Sequence, residues 1–144
     1  VAIAHARIAG HDSPEPIELT PEVAAALIRL LHGARRAEIE TAGPVRRRAF
    51  RNTRHLLGGM RALGVPSRFL ADALDVTVRS VRTRAETDGL IRVDDFQSLS
   101  GLPVRVVGSA NGAPQRAGWT DTDGEALHHA SALIRAVLAS VSPR

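Results

Sequence analysis

The 144-residue sequence predicts a mainly α fold. Two patterns carry the prediction: apolar residues recur at helical spacing over long stretches, and helix-start and helix-stop residues bracket those stretches. The third observation is compositional. The apolar share is 44%, enough for a packed core, yet there are only three Phe, one Trp and no Tyr. The core is therefore built from Leu, Val, Ile and Ala, which suits small helices packing closely. The length fits one modest domain or two very small ones.

Residues 1–19 form an N-terminal segment with no sustained pattern. Val1 to Ile8 is Ala-rich and reads as a helix end or a strand. His11 to Glu18, with Pro14 and Pro16, reads as a linker. Thr20-Pro21-Glu22 is a helix start: a capping hydroxyl, Pro at the first helical position, and an acid at the positive end of the dipole. Val23, Leu27, Leu30, Leu31 and Ala34 then recur at helical spacing, to about Arg36 or Glu40. Pro44 opens a second helix with Ala49, Thr53, Leu56, Met60 and Leu63 inward, and Gly64 stops it. Gly58-Gly59 in its middle costs roughly 1 kcal/mol per Gly and marks either a kink or a close crossing. Two short helices follow, Ser67 to Leu74 and Thr77 to about Asp88, the second closed by Gly89.

Leu90 to Val93 and Val104 to Val107 read as short strands. Asp94 to Pro103 is a loop or one helical turn, and Gly108 to Gly118 reads as flexible. Thr122-x-x-Glu125 fits a capping box that starts a last helix. Its stripe is Leu127, Ala130, Ile134, Val137, Leu138 and Val141. The organisation expected is thus 1–19 as linker, 20–93 as a helical domain, and 94–144 as a wing or linker plus a C-terminal helix.

Charge is unevenly placed. All 19 basic residues are Arg. From Pro44 to Arg84 there are ten arginines against two aspartates, a net +8, which leaves the rest of the chain at −4. A basic block on a mildly acidic body is the footprint of a polyanion-binding surface, and guanidinium suits bidentate contact with phosphate and guanine.

Within that block lies Phe69-Leu70-Ala71-Asp72-Ala73-Leu74-Asp75-Val76-Thr77-Val78-Arg79-Ser80-Val81. Ala71 is small, as a close helix crossing requires. Leu70, Leu74, Val76 and Val81 fill the wedge between two helices. Asp75 stands where the chain turns sharply, with positive φ, and Thr77 caps the next helix. These features resemble the bacterial helix-turn-helix family, over about 22 residues (67–88). Arg84 departs from the pattern, which more often has an apolar residue there; Ala85 is the candidate for that inward role. Arg84 to Val93 further resembles a recognition helix running into the first wing strand of winged-helix regulators, with Val104 to Val107 returning. The rival reading is a short helix at Asp95–Ser100.

The resemblance implies a stabilising helix followed by a recognition helix in the major groove. It implies base-reading roles for Thr77, Val78, Arg79, Ser80, Arg82 and Thr83. Arg46, Arg47, Arg51, Arg54, Ser67, Arg68 and Arg84 are the expected phosphate anchors. The function expected is sequence-specific binding of double-stranded DNA by a transcriptional repressor or activator. The alternative is a DNA-handling subunit for packaging, partition or replication initiation. Self-association through the C-terminal helix or the 20–36 helix is a further expectation.

Other chemistry finds little support. There is no Cys, which excludes disulfides, thiolate metal sites and cysteine nucleophiles. The six His show no chelating spacing, and the Asp121 to Glu125 run lacks the distal ligand of a calcium loop. No Gly-rich phosphate loop or nucleophile–base pair is present, so neither an enzyme, a metal nor a cofactor is expected. No apolar run is long enough for a membrane span and no leader is visible; the expectation is a cytoplasmic, nucleoid-associated protein.

Overall fold

The computed structural model describes residues 4–6, 16–86, 90–102, 104–106, 121–122 and 125–141, and the fold is mainly helical. Helix α1 (Pro21–Glu40) starts where local chemistry demands: the Thr20 hydroxyl accepts the Val23 N–H at 3.2 Å, with Pro in the first turn. After Thr41 and Ala42 the chain enters α2 (Gly43–Ala62). The Ile17 N–H donates to the Leu63 carbonyl at 2.9 Å, which brings the start of α1 beside the end of α2. The two helices therefore form an antiparallel hairpin. Residues 16–19 belong to it rather than to a linker: Ile17 packs on the core.

Gly64, at φ +91°, ends α2, and the Val65 N–H reaches back to the Met60 carbonyl at 3.0 Å. Only a residue without a Cβ adopts that φ at little cost. Next come α3 (Ser67–Leu74) and α4 (Val78–Arg84). Between them Asp75 adopts the left-handed conformation (φ 58°, ψ 48°), as its position in the sequence predicts. The Val76 N–H closes the turn on the Ala71 carbonyl at 3.0 Å. Helix α4 is shorter than the predicted 77–88. It stops at Arg84 because Ala85 turns extended and the Glu86 N–H donates to the Arg54 carbonyl on α2, 3.1 Å away.

The strands are short: β1 (Ala4–Ala6), β2 (Leu90–Arg92), β3 (Val104–Val106), β4 (Asp121–Thr122) and β5 (Glu125–His129). The predicted wing is not formed. Strand β2 pairs antiparallel with β5, and β3 pairs parallel with β1, so β2 and β3 are not partners. Between them runs helix α5 (Val93–Ser100), close to the rival reading of that segment. The physical reason is Phe96, fully buried, which a solvent-exposed wing loop could not accommodate.

The last helix, α6 (Ala130–Val141), begins later than the capping-box reading placed it. Thr122 and Glu125 instead face each other across the β4–β5 pair. Leu127, His128 and His129 accordingly lie on a strand, in register with Arg92, Ile91 and Leu90. The segment 108–118 expected to be flexible lies outside the described residues.

One core joins these elements. Leu27, Leu30 and Leu31 of α1 meet Leu56, Leu57 and Met60 of α2, Leu70 of α3, Val81 of α4, Phe96 of α5, and Leu133 and Ile134 of α6. Each such side chain contributes about 1.5–3 kcal/mol on leaving water. The core draws on residues from both sides of residue 93. Of the helices named for self-association, the apolar stripe of α1 is buried here, as are Ala130, Ile134, Val137 and Leu138 of α6.

Gly58 and Gly59 answer the question their sequence raised: they mark close approaches. Gly58 lies against the Glu86 backbone. Gly59 lies against α6, where an added Cβ would sit 3.0 Å from both the Ser131 nitrogen and Ile134 Cδ1. Among the described residues no helix is long and apolar enough to cross a membrane.

Candidate nucleic-acid interface

Helix α4 is held by one side and open on the other. Val81 is fully buried, while Val78 and Ala85 are half-buried against the core. These positions recur at three and four residues, one face of a helix. Ala85 thus takes the inward role that Arg84 cannot. Arg79, Arg82, Thr83 and Arg84 are exposed on the remaining faces, with Ser80 half-exposed. Thr77 caps the helix, its hydroxyl accepting the Ser80 N–H at 3.0 Å. The Thr83 hydroxyl donates to the Arg79 carbonyl at 2.9 Å. Of the six expected base readers, Val78 faces the core, and the two threonine hydroxyls are engaged with the helix itself. Arg79 and Arg82, three residues apart on the open side, are the long side chains left to reach outward.

The expected phosphate anchors divide in the same manner. Arg47, Arg51 and Arg54 stand at i, i+4 and i+7 on one exposed face of α2. Phe50 lies among them with 48% of its surface exposed, an uncommon position for a lone aromatic. Arg46 is exposed, its Nη2 donating to the Ile39 carbonyl at 3.4 Å. Arg48, in the same basic run, turns the other way: its Nε lies 3.0 Å from Asp95 Oδ2, which also accepts from Asn52 Nδ2 at 3.1 Å. That cluster fastens the first turn of α5 to α2. Ser67 is half-buried in the first turn of α3, and Arg68 is exposed, 3.8 Å from Asp72.

Glu86 was given no role by the sequence, yet it joins the two basic helices. Its Oε2 lies 3.1 Å from Arg54 Nη2 and its Oε1 lies 3.0 Å from Nε2 of the buried His55. With its N–H on the Arg54 carbonyl and its backbone against Gly58, Glu86 pins the exit of α4 to the middle of α2. Helices α4 and α2 are consequently joined at Glu86. A sequence signal existed: an acid directly after a basic helix, opposite adjacent glycines.

No family model, no curated protein and no solved structure matches this chain.

Proposed function

We propose that this chain binds double-stranded DNA sequence-specifically and acts as a transcriptional regulator. In this reading α3 and α4 form a helix-turn-helix, α4 enters the major groove, and the arginines of α2 hold the backbone. The observation that carries it is α4 itself. A short helix is locked by Val78, Val81 and Ala85 on one side, follows a left-handed turn at Asp75, and presents Arg79 and Arg82 outward. Guanidinium reads guanine through O6 and N7, each bidentate contact giving about 1–3 kcal/mol of discrimination. Arg47 and Arg51 set register without reading sequence.

The test is selection of bound duplexes from a random pool at stated salt. The expected result is a sharp motif. Arg79→Ala or Arg82→Ala then relaxes preference at one base pair. Arg51→Ala weakens all sequences alike and reduces the slope of log affinity against log salt by about 0.9. A flat pool with measurable affinity would favour a DNA-handling subunit instead. Retention of no duplex at low salt would end the reading.

A further inference from the structure

The arginine face of α2 carries its own anion. The carboxylates between Pro44 and Glu86 are Asp72, Asp75 and Glu86. Asp72 lies beside Arg68 on α3, and Asp75 makes the turn. Only Glu86, of these three, reaches the α2 arginines, through Arg54.

The Arg54–Glu86 pair is exposed rather than a buried strut. Arg54 and Glu86 side chains keep 51% and 44% of their solvent exposure. The pair is thus open to water on one side, and an incoming anion reaches Arg54 without entering the core. An exposed pair of this kind is weak and screened by salt. The Glu86 backbone, by contrast, is held independently of its carboxylate, by the Arg54 carbonyl and by its seat on Gly58. His55, only 11% exposed at its side chain, orients the carboxylate from beneath. A weak anion tethered this closely competes at an effective concentration of about millimolar or above.

Resting on the DNA-binding reading, we infer that Glu86 is a specificity-determining residue that stands in for a DNA phosphate at Arg54. It withholds Arg54 from random sequence, where α4 gains no base contacts. It yields Arg54 when base contacts by Arg79 and Arg82 fix the duplex in a register that sets a phosphate beside Arg54, where its effective concentration exceeds that of the carboxylate. Arg51 and Arg47, which have no such internal anion among the described residues, contact the backbone of any sequence.

The experiment is duplex binding by the full chain and by Glu86→Gln, on random-sequence and selected DNA, between about 50 mM and about 200 mM salt. Gln keeps the shape and removes the charge. Glu86→Gln should bind random DNA about two- to fivefold more tightly at the lower salt, the range an exposed ion pair sets. Its salt slope should steepen by about 0.9, one added phosphate contact. Affinity for the selected site should rise less, so the specificity ratio falls. Arg54→Ala placed on top of Glu86→Gln should remove the gain. Equal affinity and slope on random DNA, with both proteins binding, would overturn the inference and leave the DNA-binding reading standing. No binding by either protein would overturn both. A measurement on the unaltered chain covers the case of a variant that fails to fold. The Glu86 carboxyl carbon resonance should shift when selected duplex saturates the protein, and a resonance unmoved on bound DNA would overturn the inference.

Discussion

Replacing Gly58 with alanine puts a methyl group where the chain leaving α4 already lies. The new Cβ would fall against the Glu86 carbonyl and 2.7 Å from the Glu86 nitrogen. Both are backbone atoms, so no side-chain rotation relieves the clash. Insertion of a methyl into such a contact costs about 1–3 kcal/mol. Displacing Glu86 also releases its N–H from the Arg54 carbonyl, about 0.5–1.5 kcal/mol. Against this, alanine in a helix interior gains about 1 kcal/mol over glycine. The balance is a loss of about 0.5–3.5 kcal/mol, opposite in sign to what helix propensity alone requires. Urea unfolding followed by far-UV circular dichroism reads it directly, as a lower midpoint at unchanged slope. Gly58→Ala as stable as the parent, or more so, would refute the packing of Glu86 on α2. With it would go the junction of α4 to α2 through Glu86.

Two further outcomes use the same assay. Asp75 is exposed and left-handed (φ 58°). Asp75→Gly should therefore raise stability by about 0.5–1 kcal/mol, whereas Asp75→Val should lower it. Thr77→Ala removes the hydroxyl that accepts the Ser80 N–H. It should cost about 1 kcal/mol and, because α4 is a single short helix, weaken binding to selected DNA more than to random DNA.

Where an element is bounded by its own local chemistry, the sequence was a sufficient guide. Thr20-Pro21 starts α1, Gly64 ends α2, and Asp75 turns α3 into α4, each for reasons contained within a few residues. The misreadings occur where the deciding partner is distant. Nothing in Arg84-Ala85-Glu86 stops a helix, and the stop comes from Gly58 and the Arg54 carbonyl on α2. Thr122-Asp123-Gly124-Glu125 fits a capping box, but Asp-Gly is equally a hairpin dipeptide. What favours a strand over another helical turn at Glu125–His129 is pairing with β2, which the flanking residues do not announce. The basic block was legible in the sequence, the orientation of its side chains less so. Arg47 and Arg48 are adjacent in one basic run, yet the rotation of about 100° between them leaves one exposed and brings the other to Asp95.

The same reasoning explains why the arginine face is where it is. Leu56, Leu57, Gly58, Gly59 and Met60 are consecutive and all buried, so this part of α2 is enclosed on every side. Successive residues on a helix point about 100° apart, and five in a row sample the whole circumference. Two adjacent positions must then admit backbone from different neighbours: Glu86 at Gly58, and α6 at Gly59. A side chain at either would push one neighbour away. The part of α2 before it has no such enclosure, and its outward positions include Arg46, Arg47, Phe50, Arg51 and Arg54. Ten arginines between Pro44 and Arg84 repel one another, and the fold keeps them tolerable by leaving most in water and giving carboxylates to those nearest its joints. Arg48 receives Asp95 where α5 docks, and Arg54 receives Glu86 where α4 departs. Arg47, Arg51, Arg79 and Arg82 lie away from the joints and have no carboxylate among the described residues. Their positive potential is left facing outward.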